Sequence, residues 1–252
     1  MSRLTALLAV VLPCCSLTAL PLTTHADDTG APGRPIRALV VYGGHGFNQG
    51  QFFALLDSIP NLEYDRLDLK RSPEKLNPGV ADRYDVLVQY DMISGLKPEQ
   101  HEAYKQLLAK GINVIALHHT IGARRAWPEY RKVLGGLWLW EPTEIDGKTY
   151  PKSTYKHGVT IPVAVADPDH PITQGLNDFE IVDEQYGNLY VSPDVHVLLT
   201  TDKPGCNSQI AWTTRYGNSR VFYLMLGHDN HAWSNPVYGK ILGNAIQWAT
   251  NE

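Results

Sequence analysis

Three times in its first half the chain repeats one pattern: a short unbroken apolar run, a polar turn, then apolar residues at helical spacing. The runs are residues 36–42 (IRALVVY), 84–90 (YDVLVQY) and 112–117 (INVIAL). Each has the length of a strand and lacks the alternation of a half-exposed one, so each reads as a strand buried on both faces. Such strands with helices between them need crossover connections, which predict α/β architecture with a mainly parallel, twisted sheet and helices on both faces, in three layers.

The N-terminus is set aside from the fold. Met1-Ser2-Arg3 is a short basic start, residues 4–20 are mostly apolar, and Thr24-His25-Ala26 is a small-residue cleavage pattern before Asp27. Residues 1–26 therefore read as a secretory signal peptide, which predicts a secreted or periplasmic protein. A lipoprotein anchor at Cys14 or Cys15 is the lesser alternative, because Pro13 and Cys14 are poor residues to precede a lipidated cysteine. No second apolar segment suggests a membrane span. Residues 27–252 are expected to form one domain. Cys206 is then the one remaining cysteine, so no internal disulfide is expected and the core must supply the stability.

The formal net charge is −4, and the basic residues are scattered rather than clustered. That argues against nucleic acid and against an anionic membrane surface. Tyr and Trp are concentrated after residue 125. Aromatics with a polar tip suit stacking on sugar rings but equally suit ordinary interfaces and cores, so composition points to a small-molecule partner and no further. Homo-oligomerisation is left open.

The first run ends in Gly43-Gly44-His45-Gly46-Phe47-Asn48, before a helix over about 49–59. These glycines lack the spacing of a dinucleotide fingerprint. Residues 62–68 predict a second strand, and Pro98 opens a helix that Lys110-Gly111 closes. The run 112–117 stops abruptly at His118-His119. Further strands are expected at 159–166, at 179–186 with Asp183 and Glu184, at 195–201, at 209–215 and at 220–226. The last of these ends in Gly227-His228-Asp229, and a final helix covers about 236–249. Three expected strand ends thus carry histidine: His45, His118 with His119, and His228. In a parallel sheet the carboxyl ends share an edge, where ligands bind. Imidazoles converging there with carboxylates suit proton transfer, or a divalent metal such as zinc held by His45, His118 and His228, although no strict zinc motif is present. His231 reads as a loop residue, His170 as a turn cap and Cys206 as a bystander. Of Trp127, Trp138, Trp140 and Trp233, most are read as packing and one or two as facing a sugar. His157 carries no argument.

The sequence resembles the ThuA-like (trehalose-utilisation) family over nearly all of residues 27–252. The resemblance rests on the Gly-Gly-His-Gly turn at 43–46, the strand leading to His118, and Trp127 and Tyr130 before Leu134-Gly135-Gly136. It continues through His170-Pro171-Ile172-Thr173-Gln174-Gly175-Leu176, Asp183-Glu184-Gln185-Tyr186, Ala211-Trp212-Thr213 and Arg220-Val221-Phe222-Tyr223 leading to Gly227-His228-Asp229. It implies a class I glutamine amidotransferase-like, flavodoxin-like α/β fold. True amidotransferases carry a nucleophilic cysteine in the turn that here holds His118 and His119, so thioester chemistry is excluded. The family is associated with sugar catabolism alongside oxidoreductases that make 3-keto sugars. Cleavage of a glycoside or 3-keto-glycoside follows as the expectation, with His118, His228, Asp183 and Glu184 as catalytic residues. Gly44, His45, His119, Trp127 and Asp229 are expected to contact the sugar. Direct hydrolysis by a carboxylate pair stays open, as does pairing of Glu184 with Arg124 or Arg220. The reading from another class is a non-catalytic sugar-binding or scaffold domain.

Overall fold

The computed structural model describes residues 34–251, besides Met1. The expected signal peptide, the lipoprotein alternative and the leader before Arg34 lie outside them. Strand β1 (Ile36–Gly43) turns into helix α1 (Gln49–Asp57), and β2 (Leu62–Asp68) follows. The Asn48 side chain caps α1 by accepting from the Gln51 backbone N–H at 3.1 Å. Next come β3 (Val86–Asp91), α2 (Pro98–Ala109) and β4 (Asn113–Leu117), then a tight helical turn (His118–Gly122) and α3 (Tyr130–Leu134). The chain then makes β5 (Gly136–Leu137), the hairpin β6 (Thr143–Ile145) with β7 (Lys148–Tyr150), and the long strands β8 (Thr154–Val165) and β9 (Phe179–Gly187). It finishes with β10 (Tyr190–Val191), β11 (His196–Thr200), β12 (Gln209–Tyr216), β13 (Ser219–Leu224), α4 (Asn230–Trp233) and α5 (Pro236–Thr250).

The described residues form a nine-stranded sheet in the order β2-β1-β3-β4-β13-β12-β11-β8-β9, with β5–β10 and β6–β7 as small separate pairs. From β2 to β13 every neighbour is parallel, as the βα repeats require. Beyond β13 the neighbours are antiparallel. There the chain has no crossover helices, and hairpins do the connecting; the β12–β13 turn at Tyr216–Ser219 falls where its Gly-Asn predicts. The α1 crossover leads away from β3, and the α2 crossover leads the other way. With right-handed connections the two helices lie on opposite faces. Gly239 of α5 faces Leu55 of α1, and Tyr104 of α2 meets Tyr130 of α3, which completes the layers. The reversal of direction between β1 and β3 opens a crevice at their carboxyl ends.

Strand β8 begins earlier than expected. A bulge between Lys156 and Val159, with Gly158 at φ +63°, breaks the alternation that would have revealed its first half. That half and its β9 partner extend past β11, which meets β8 through the pairs Leu199–Val165 and Thr200–Ala164.

One buried ion pair fixes the turn after β4. Arg124, itself at φ +52°, donates to both Asp91 oxygens at 3.1 and 3.3 Å, and both side chains are fully buried. Its guanidinium lies 4.6 Å from the Tyr130 ring centre, and its backbone N–H donates to the Ile93 carbonyl at 2.7 Å. Arg220 instead lies over Trp248. Neither arginine is therefore the partner of Glu184. Removing one member of a buried pair strands the other's charge. Asp91→Ala is expected to lose about 3–5 kcal/mol in chemical denaturation. The double replacement Asp91→Leu with Arg124→Met is expected to recover part of that loss.

Candidate active site

The first wall of the site comes from the carboxyl ends of the parallel strands. After β1, Gly44 adopts φ +79°, and a Cβ there would lie 2.6 Å from the Met92 carbonyl oxygen that follows β3. Only glycine allows the two turns to touch, so Gly44 shapes the crevice rather than contacting a ligand through a side chain. His45 follows it, at the pocket rim.

His118 ends β4 with φ +47°, a strained conformation for a residue with a side chain. The Tyr223 hydroxyl donates to its carbonyl at 2.9 Å, and its Nδ1 lies 2.6 Å from the Met225 carbonyl at the end of β13. A carbonyl can only accept, so Nδ1 carries hydrogen and Nε2 is turned to the cluster. Three groups meet that nitrogen: Glu184 Oε2 at 3.0 Å, His228 Nδ1 at 3.2 Å and the Tyr186 hydroxyl at 2.8 Å.

Glu184 and Tyr186 arrive from β9, at the far edge of the sheet, and Asp183 anchors that arrival. Its oxygens accept from the backbone N–H groups of Gly227 at 2.6 Å, His228 at 3.0 Å and Glu184 at 2.8 Å. Burial pushes the Asp183 carboxyl up, against those donors. Asp183 thus holds the His228 loop through backbone bonds and does not line the cavity. Glu184 Oε2 lies 3.0 Å from His228 Nδ1 as well as from His118, and its Oε1 lies 3.3 Å from His157 Nδ1. Burial would raise the Glu184 carboxyl, but hydrogen bonds to His118 and His228 outweigh it and hold it well below the usual carboxylate range. The same bond to Glu184 raises His228. Burial, then the neighbouring His118, lower both His45 and His119, keeping them neutral.

Beside the cluster lies a cavity of about 260 Å³. Drug-sized ligands occupy roughly 300–1,000 Å³, so this one suits a single small ring. Its lining combines polar groups, His45, His119, His157, Glu184 and His228, with the aromatic rings of Trp138, Trp140, Tyr155 and Tyr186. The His119 ring lies 4.7 Å from that of His45, and its Nε2 lies 3.3 Å from the Tyr90 carbonyl.

Of the residues singled out in the sequence, the structure gathers His45, His118, His119, Glu184 and His228 in one place. Trp127 is not among them: it stacks on His101 at 4.9 Å and on Tyr130, packing against α2. Asp229 caps α4 by accepting from the His231 N–H at 2.8 Å and does not line the cavity. The expected metal set also changes. Among the described residues, the group with three metal-competent atoms together is His118, Glu184 and His228; His45 stands outside it, its ring 6.2 Å from that of His228. His157 was missed because the bulge at Gly158 hid its strand. Tyr155 and Trp140 carried no more signal than other aromatics.

The family model described as ThuA, trehalose utilisation, matches residues 37–249. A ThuA-like protein from Parabacteroides merdae is similar in structure with TM-score 0.67 at 19% identity, over 86% of this chain and 91% of that one. Another from Bacteroides uniformis gives 0.62 at 21%, over 87% and 95%. A β-galactosidase from Bacillus circulans gives 0.55 at 12%, over 84% of this chain and 31% of that chain, a likeness of fold alone. No curated protein matches the sequence. Over nearly all of its described residues, the chain belongs to the ThuA (trehalose utilisation) family.

Proposed function

We propose that this chain is an exported enzyme that cleaves a 3-keto-glycoside, the sugar ring lying among the aromatic rings and histidines that line the cavity. The observation that carries the reading is the meeting of His118, just after β4, His228, after β13, and Glu184, within β9, beside one small cavity that Glu184 and His228 line. Structural histidines seldom gather with a carboxylate beside an open pocket, and perturbed groups in a cleft mark a functional site. The family's association with trehalose utilisation supports a carbohydrate as substrate.

A ketone at C3 acidifies the proton on C2. His45, neutral at the rim, takes that proton, and the electrons move into an enediolate across C2 and C3. His228, its Nδ1 held by Glu184, offers its Nε2–H to the developing negative oxygen. The enediolate then expels the C1 oxygen, which accepts a proton from a group at the mouth, and His157 stands there with Nδ1 bonded to Glu184. Addition of water across the resulting C1–C2 double bond completes net hydrolysis. Direct displacement by a carboxylate pair has weaker support. Asp183 is occupied by backbone donors and does not line the cavity, where Glu184 is the one carboxylate among the described lining residues.

Purified protein is expected to turn over 3-keto-trehalose and to exchange the C2 hydrogen with deuterated solvent, read by NMR. His45→Ala is expected to lower both rates by about 10²–10⁴, the usual worth of general-base catalysis. Absence of both turnover and exchange would sink the proposal. Trp140→Ala is expected to raise KM about tenfold with kcat retained, because stacking holds ground state and transition state alike. Protein recovered from the medium or periplasm of an expressing cell is expected to begin at Asp27 by intact-mass measurement; a retained residue 1–26 segment would overturn export.

A further inference from the structure

We propose that His118 Nε2, Glu184 Oε2 and His228 Nδ1 are the protein ligands of one divalent transition-metal ion, bound with an open side toward the cavity. The binding stands on the geometry of these three atoms. The ion's use in catalysis rests on the sugar-cleaving reading above.

The three atoms form a nearly equilateral triangle with edges of 3.0, 3.0 and 3.2 Å. Ligands at about 2.0–2.1 Å from a tetrahedral zinc lie roughly 3.3 Å apart, so the triangle needs only a few tenths of an ångström of adjustment. Two imidazoles and one carboxylate suit zinc and its first-row neighbours, whereas magnesium and calcium prefer oxygen alone. The set also carries the outer support such sites use. His118 Nδ1–H is bonded to the Met225 carbonyl, which fixes the tautomer and turns the Nε2 lone pair inward. Asp183 holds the backbone of both His228 and Glu184, so two ligands share one anchor.

His118 Nε2 and Glu184 Oε2 face each other at 3.0 Å, a spacing that either a proton on the imidazole or a shared cation satisfies. Side-chain exposure is 0% for His118 and 6% for Glu184, but 21% for His228. The ion would therefore be reached from the pocket side, as in catalytic sites that keep a position open for substrate or water. The Tyr186 hydroxyl, 2.8 Å from His118 Nε2, is the group the ion displaces from that nitrogen. A metal there would take the enediolate oxygens of a 3-keto sugar, strengthening the charge stabilisation that the cluster otherwise supplies through hydrogen bonds.

The test uses tag-free protein stripped with a chelator, then titrated with Zn²⁺ by calorimetry and with Co²⁺ by visible absorption, Mg²⁺ serving as control. One equivalent of Zn²⁺ is expected to bind, with a Co²⁺ band of low symmetry and no Mg²⁺ response. His228→Ala and Glu184→Gln, checked for folding by circular dichroism, are expected to weaken Zn²⁺ binding at least about 100-fold, a ligand costing more than its outer support. Trp140→Ala is expected to bind Zn²⁺ normally. Failure of the wild type to bind at about 10 µM free Zn²⁺, far weaker than structural zinc sites, would overturn the proposal. Unchanged affinity in both ligand variants would do so equally. Metal binding without turnover of any keto-glycoside keeps the ion and removes the sugar-cleaving reading. Turnover undiminished after stripping keeps that reading and removes the ion's catalytic use.

Discussion

Everything at the candidate site depends on how His118 is held. Strand β4 ends in a residue whose backbone is forced into the left-handed region, and two bonds from β13 keep it there: Tyr223 to its carbonyl and its own Nδ1 to Met225. A left-handed residue with a side chain costs on the order of 1–3 kcal/mol, so the surrounding structure must determine it. In return, the ring cannot rotate without breaking a buried hydrogen bond. The strained turn after this central strand aims an imidazole nitrogen out of the sheet.

Burial sets the electrical character of what gathers around that nitrogen. Glu184 is nearly enclosed, yet its carboxyl stays ionised because two imidazoles face it. His45 and His119 lie slightly farther out, without a carboxylate of their own, and are driven toward the neutral form. One patch of sheet edge thus holds imidazoles of two kinds, one able to carry a charge and one able to accept it. Acid–base chemistry on a polar ring calls for that division, and a uniformly buried or uniformly exposed histidine cluster would lack it.

The parallel half of the fold was legible in the sequence because its signals are local. Residues 36–42, 84–90 and 112–117 are continuous apolar runs, and glycine, proline or histidine marks their ends. The histidines could be placed on one edge for the same reason, since parallel order follows from βα repetition alone. What the sequence could not supply were relations across the antiparallel half. Whether Asp183 or Glu184 faces the cavity depends on the register of β9 against β8, and the bulge at Gly158 shifts that register without a clear mark. His157 disappeared from view for the same reason. Trp127 misled because its neighbourhood carries the family pattern, while its ring serves packing against His101 and Tyr130. Asp229 likewise sits beside a site histidine and serves a helix cap.

The β8–β9 pair meets the rest of the sheet through two residue pairs on β11, and yet it carries Tyr155, His157, Glu184 and Tyr186. The pair is tied at other points too: Asp183 accepts from the backbone N–H groups of Gly227 and His228. Beyond it, the Asn207 N–H donates to the Tyr186 carbonyl at 2.7 Å and the Ser153 N–H to the Leu139 carbonyl at 2.8 Å. The two strands are thus a beam clamped at both ends, and the clamps, not the ladder, hold Glu184 and Tyr186 against the histidines.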